Sequence, residues 1–435
     1  MRRPKVRRHV RDEATAPATH HAIWWLVVAT LYAVSFITAD GKDVFHLPKL
    51  VTLEGAAILL LAGAAVVSIL DPRRGILQRL RMHRVALFIA LMAVTWTAIT
   101  AAASTQRMLS LDTLLWVACC AAFFLVTVAL AQERSLMACA LGIVPALINA
   151  ATVTAQRLEM WNPFVFPDET PIRIRSTAYI GNPDDVGSYL LIPEIAAIVL
   201  AIVHRGMARI AYAAAALLIL VGMAASETLT ASLALIIAGA VLLFSLSRRA
   251  ALVIALASAL ALGLGFVLDL PILRRAPVVL SHVMAGRFGE AVSNRLQGFT
   301  AAWVMFKERP MVGVGPGCFA YWYLPYNMLL SGKHPEFLVT DQNFHDVHND
   351  HLQLLATTGL PGYAIFLAAL WHLGSRGRGA GAAADERQRF ARLFARPAAA
   401  GFAVMSLGQF PLELAAATTT MLFFAALAIA WSRPS

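Results

Sequence analysis

The chain has 435 residues, 59% of them hydrophobic and only 14% charged, with a formal net charge of +11. Soluble domains carry about 25% charged residues, so this chain cannot cover a water-facing surface, and an integral membrane protein with many spans is the class it fits. The positive balance does not point to nucleic acid, because the charges sit between apolar spans and not along one face.

In chain order, "MRRPKVRRHVRDEATAPATHHAIWW" is basic and then apolar, with no small-residue cleavage site before a polar mature chain. It reads as a cytoplasmic tail, 1–21, leading into a first span, and not as a cleaved signal. Twelve stretches reach or nearly reach the roughly 17 to 25 apolar residues that a span needs, the sixth, seventh and eleventh being short: 22–39, 49–70, 85–103, 111–131, 136–154, 188–203, 210–225, 229–247, 250–269, 351–374, 398–412 and 414–431. Backbone polar groups must be satisfied within the bilayer, so the spans are helices and the expected fold is all-α. Cys119, Cys120 and Cys139 lie in apolar segments and Cys318 in a loop, with no disulfide framework visible.

Lysine and arginine in the short loops set the orientation. The tail carries Arg2, Arg3, Lys5, Arg7, Arg8 and Arg11, the loop after the second span Arg73, Arg74, Arg79, Arg81 and Arg84, and the loop after the tenth Arg376, Arg378, Arg387, Arg389, Arg392 and Arg396. Twelve spans put all three on one side, and both termini in the cytoplasm. Residues 22–270 then hold spans one to nine, with an outer loop at about 155–187. Residues 271–350 form the largest outer loop, and 351–435 hold spans ten to twelve. Within the large loop "NRLQGFTAAWVMFKERP" reads as an amphipathic helix: Asn294 caps it, Leu296, Phe299, Trp303 and Phe306 line its apolar face, and Pro310 ends it. "GVGPG", Gly313 to Gly317, follows a helix and not a strand, so it is a tight turn back to the membrane and not a nucleotide loop.

The polar cluster His348-Asn349-Asp350-His351 sits at the mouth of the tenth span, on the outer side. Asn349 or Asp350 is a natural N-cap, and the helix N-terminus favours anions. A histidine at that boundary can take or give a proton. The outer segments also supply Arg173, Arg175, Arg287 and Arg295, whose guanidinium forks suit phosphate oxygens, although each alone also reads as a side chain reaching for lipid headgroups. A metal reading of "HDVHNDH" would use His345, His348 and His351, but the spacing does not match the helical HExxH pattern. Glu54, Glu194 and Glu413 lie in or near spans, where a proton-coupled transporter would use them. No internal repeat supports that alternative.

"RLQGFTAAWVMFKERPMVGVGPGCF" followed by "HNDHLQLLATTGLPG" resembles the C-terminal signature of the O-antigen ligase and O-antigen polymerase superfamily. "STAYIGNPDDVGSYLLIPE" is similar to its glycine–asparagine–proline segment before a span, and "DVFHLPKL" to its first outer loop. The resemblance implies an inverting glycosyltransferase of the bacterial inner membrane, working at the periplasmic face without metal or cofactor. The donor would be a glycan on undecaprenyl diphosphate. The acceptor would be the lipid A core sugar in a ligase, another lipid-linked repeat in a polymerase, or a protein hydroxyl in related members. Carried over by position, His348 matches the family's essential histidine and Arg295 the arginine that opens its "R…W" helix. Asp350 or Asp346 would fix the histidine tautomer. The family's serine–arginine–glycine at the outer end of span eight is here "SETLTASLAL", with Leu229 where arginine is expected. Arg287, Arg175 and Lys49 are the candidates to supply that charge to the donor diphosphate.

Overall fold

The computed structural model describes residues 18–39, 43–70, 75–167, 170–246, 281–282, 284–286, 295–332, 344–376 and 385–432. The ninth expected span, Arg287 and Asn294 lie outside them. Among the described residues the chain is helical, with no strand. The helices are α1 (Ala18–Phe36), α2 (His46–Leu70), α3 (Ile76–Leu80), α4 (Arg84–Ala103), α5 (Arg107–Ala131), α6 (Met137–Arg157), α7 (Ile172–Arg175), α8 (Pro183–Val203), α9 (Gly206–Ser226), α10 (Leu229–Leu246), α11 (Leu296–Glu308), α12 (Phe319–Ser331), α13 (Asp350–Ser375), α14 (Glu386–Met405) and α15 (Ala415–Trp431). Eight helices among the described residues are long and apolar enough to cross a membrane. The fold is that of an all-α, multi-pass membrane protein.

Two apolar helices sit at the centre. α8 and α15 bury residues around most of their circumference, as a helix that is hydrophobic on all sides must. The peripheral helices α2, α4 and α9 leave Ile69, Phe88, Leu217 and their neighbours exposed. These are the surfaces that lipid would cover.

Polar contacts divide the bundle into two ends. At one, the α5–α6 turn is clasped from four directions. Arg79 of α3 meets Glu133 at 2.5 Å, Arg134 reaches the His20 carbonyl of α1, Arg387 of α14 the Gln132 carbonyl, and Trp431 of α15 the Ala131 carbonyl at 2.8 Å. This is the arginine-rich end. At the opposite end the starts of α11 and α13 meet the α14–α15 turn, and the start of α8 is joined to those of α11 and α2.

One span differs from its sequence reading. The eleventh was expected at 398–412, after an arginine-bearing loop; α14 instead starts at Glu386 and ends at Met405. Its arginines do not break the helix, because Phe390, Ala391, Leu393 and Phe394 form a buried stripe among them, and Phe390 stacks on Phe394 at 5.1 Å. Residues 406–414 then become a turn at the end opposite the arginine-rich one, which supplies much of the site.

The amphipathic helix is present as α11, but its packed face is not the bulky one. Gln297, Gly298, Ala301, Ala302 and Met305 are buried, whereas Leu296 and Trp303 are exposed. Small residues let α11 approach α13 closely, and the aromatic side is left outward. Pro310 follows the helix end, as expected.

The "GVGPG" turn has a structural task. Pro361 cannot donate to the Thr357 carbonyl one turn earlier, and Gly359 breaks the α13 geometry at φ 69°. The freed groups are taken up from outside. Val314 N–H donates to the Ala356 carbonyl, Gly315 N–H to the Thr357 carbonyl, and Leu360 N–H to the Pro310 carbonyl. Trp96 Nε1 covers the Thr358 carbonyl at 2.9 Å. A Cβ on Gly313 would stand 2.3 Å from the Thr357 carbonyl carbon, and one on Gly359 2.3 Å from the Met311 oxygen. "GVGPG" and "TTGLPG" are thus two halves of one joint.

Candidate active site

Asparagine side chains cap the starts of α8 and α13 at this end. At α8, Asn182 Oδ1 accepts from the Asp184 and Asp185 N–H groups at 2.8 and 3.1 Å, with Pro183 in the first helical position. The "GNPDD" sequence thereby presents two carboxylates at a helix mouth. At α13, Asn349 is the N-cap, its Oδ1 accepting the Leu352 N–H at 3.0 Å. Its Nδ2 donates to the Leu407 carbonyl, tying α13 to the α14–α15 turn.

Arg295 stands between these elements. Nη1 donates to the Gly408 carbonyl at 2.6 Å, and Nη2 to Asp184 Oδ2 at 3.2 Å. Both terminal nitrogens of the fork are thereby oriented, one by the backbone and one by a carboxylate.

His348 occupies the adjoining space. Its backbone lies in the left-handed region, φ 56°, uncommon outside glycine and a place where functional side chains are held. The ring sits edge-on to Phe410 at 4.6 Å and to Phe344 at 6.0 Å. Nδ1 is buried without a hydrogen-bond partner among the described residues. Burial pulls the imidazole well below its ordinary range, to about 4, and the Arg295 guanidinium adds to this, while Asp346 and Asp184 oppose it. Arg295, Asp346 and Asp184 thus all bear on the His348 imidazole.

Other expected residues take different places. Asp350 is 1% exposed. Its Oδ2 accepts from Ser406 Oγ at 2.9 Å and Leu412 N–H at 3.3 Å. It staples the 406–412 turn and does not hydrogen-bond His348, so the expected tautomer-fixing contact is absent. Asp346 does not make it either: Oδ2 meets His345 Nδ1 at 3.0 Å and Oδ1 accepts from Gln353 Nε2 at 3.2 Å. The Asp346 contact raises the basicity of His345.

Lys49 is 2% exposed, with Nζ donating to the Ile37 and Phe45 carbonyls at 2.8 and 3.0 Å. It closes the α1–α2 turn from within. Arg175 Nε turns to the Thr170 carbonyl at 2.7 Å inside its own loop, and not to the Arg295 side. At the position where arginine was expected, Leu229 opens α10, and the preceding Glu227 pairs with Arg157 of α6.

The three histidines of "HDVHNDH" diverge. His351 engages the Ala403 carbonyl at 2.9 Å and Tyr363 Oη at 3.1 Å, while His345 is solvent-exposed beside Asp346. Among the described residues no group of three His, Cys, Asp or Glu is placed to hold a metal ion.

Sequence reasoning did not single out Asp184, Asp185, His46 or Gln353. His46 Nε2 lies 3.5 Å from Asp185. Gln353 Nε2 joins Asp346 to Glu413 Oε1, the latter at 2.8 Å. The signal for Asp184 and Asp185 was the "NPDD" cap, which puts charge at a helix start. Nothing local marks Gln353, whose partners lie 7 and 60 positions away.

The Arg295 side chain and His348 imidazole thus form a cation-and-imidazole pair walled by two phenyl rings and flanked by carboxylates. No curated protein sequence matches the chain. Residues 214–367 match the family model described as O-antigen ligase. The matched stretch holds Arg295, His348, Gly359 and Pro361, and the family is of glycosyltransferase-like membrane proteins acting on lipid-linked glycans. Over residues 214–367 the chain carries an O-antigen ligase-like domain.

Proposed function

We propose that this protein is an inverting, metal-independent glycosyltransferase of the bacterial inner membrane. It moves an O-antigen glycan from undecaprenyl diphosphate to a lipid A core sugar on the periplasmic face. The observation that carries this reading is the shared neighbourhood of Arg295 and His348 at the end of the bundle opposite the arginine-rich one. The positive-inside rule sets the arginine-rich end in the cytoplasm.

The acceptor hydroxyl attacks the anomeric carbon, the sugar–phosphate bond breaks, and undecaprenyl diphosphate leaves with the electron pair. Arg295 supplies positive charge to the leaving oxygens, pre-aimed by Gly408 and Asp184. His348 takes the hydroxyl proton as it leaves. In the free protein this imidazole is a weak base, which poorly matches a general base working near neutrality. A diphosphate seated on Arg295 cancels the positive field that helps depress it. Donor binding therefore strengthens the base that the reaction needs. Asp184, Asp346 and Asp350 have other partners, so none of the three competes for the imidazole.

Purified protein with a lipid-diphosphate glycan and lipid A core tests the reading. Transfer that survives EDTA and disappears in His348→Ala supports it; full transfer by that variant, or none by the parent protein, overturns it. Growth of glycan chains on the lipid carrier without transfer to lipid A would assign a polymerase, and transfer to a protein hydroxyl would assign a protein glycosyltransferase.

A further inference from the structure

A cavity of about 320 Å³ lies between α4, α5, α13 and α15, away from the Arg295 fork. Trp96, Trp116, Phe124 and Phe366 are among its walls, Gln353 and Glu413 sit at its outer rim, and His372 at its floor. Gln353 and His372 are 19 residues apart on α13, roughly 28 Å at 1.5 Å per residue apart from the break at Gly359. That matches the hydrocarbon thickness of a bilayer, about 30 Å. A space this long, narrow and apolar suits an extended chain and not a compact ligand.

The rim decides which chain. Glu413 Oε1 accepts from Gln353 Nε2, and Oε2 has no partner among the described residues. The same amide nitrogen holds Asp346 Oδ1. The second carboxylate in the lining, Asp350, is already taken up by Ser406 and Leu412. Among the described residues the lining holds no lysine or arginine, and His345, whose field reaches Glu413, is already engaged by Asp346. A phosphate at this rim would meet carboxylates with no unpaired cation among the described residues, whereas a hydroxyl would find an acceptor with one oxygen to spare.

We propose that this cavity is a second lipid site, for an amphiphile with one extended apolar chain and an uncharged, hydroxyl-bearing head that donates to Glu413. The site is distinct from the phosphate-binding side at Arg295, and its occupancy does not depend on the transferase reading.

The test uses the full chain in nanodiscs and two photoreactive probes, a diazirine-bearing dodecyl glucoside and the matching dodecyl phosphate. The glucoside should label residues of α5, α13 or α15 that line the cavity, and unlabelled dodecyl glucoside should compete. Glu413→Leu should cut labelling about tenfold, as expected when a hydrogen bond to a charged group is lost. Ala121→Trp, which fills the cavity and leaves the rim intact, should abolish it. Both variants are first checked for an unchanged elution profile. Equal or stronger labelling by the phosphate probe would overturn the proposal and assign the cavity to a phospholipid-type tail. Glucoside labelling that is absent from the parent protein, or unchanged in Ala121→Trp, would overturn it as well.

Discussion

Arg295 donates to Asp184 across 3.2 Å, joining the start of α11 to the capped start of α8. The two residues are 111 positions apart in the chain. The same guanidinium holds the Gly408 carbonyl of the α14–α15 turn, so one side chain fixes three elements around His348.

Arg295→Lys keeps the charge and loses the fork. An ammonium cannot make the same two-armed contact to Gly408 and Asp184. Lipid-diphosphate KM should rise at least about tenfold, the equivalent of one lost charge-assisted hydrogen bond. Asp184→Asn should show a smaller rise, since the Gly408 bond survives. Steady-state kinetics across donor concentration checks both.

His348→Gln should lower transfer by about 10²–10⁴-fold, the usual worth of a general base. The amount of protein in the membrane fraction should not change. Transfer assays beside quantitative membrane immunoblots separate the two effects.

The pH dependence follows from the depressed imidazole. A free histidine titrates near 6.5, and His348 in the folded protein at about 4. As pH falls, the unfolded chain takes the proton first. The stability contribution of a neutral His348 is therefore complete above pH 6.5 and is lost as pH falls from there to about 4. The ceiling on this loss is about 3 kcal/mol, from roughly 1.4 kcal/mol for each pH unit. Thermal midpoints in nanodiscs should fall less steeply over that window for His348→Gln than for the parent protein. Arg295→Met should move the acid limb of kcat/KM to higher pH than the parent's, because the guanidinium that lowers the imidazole pKa is gone.

Asp350→Ala should destabilise by about 1–3 kcal/mol, because it strands the Ser406 hydroxyl and the Leu412 N–H. Asp350→Asn keeps an acceptor and should be milder. Neither should move the pH profile of transfer, because Asp350 does not touch His348. Thermal midpoints read beside pH–rate profiles distinguish this structural role from a catalytic one.

Gly313→Ala and Gly359→Ala should each unseat the loop–helix joint, since an added Cβ meets backbone at 2.3 Å and φ is positive at both. Faster proteolysis of the outer segment in intact spheroplasts would report it.

The membrane class and most span positions were legible because apolar runs and arginine-bearing loops are local signals. The start of α14 was hidden because hydropathy averages arginines with the Phe390–Phe394 stripe and cannot see that they lie on different faces. His348 and Arg295 were singled out through motif resemblance, and the structure sets both at the end of the bundle opposite the arginine-rich one. The part given to Asp350 was not, because its partners Ser406 and Leu412 come from the turn that the misplaced span had absorbed. Lys49 looked like a free cation in "HLPKL", and only the fold shows its ammonium turned onto the Ile37 and Phe45 carbonyls.

A double-mutant cycle on transfer, with Arg295→Lys, His348→Gln and the pair, tests most directly whether the guanidinium and the imidazole serve one bound donor. Cooperation in a single event predicts that the double variant loses about as much as the worse single variant and no further tenfold. Losses that multiply in full would mean that the two side chains act independently, and would contradict the proposed active site.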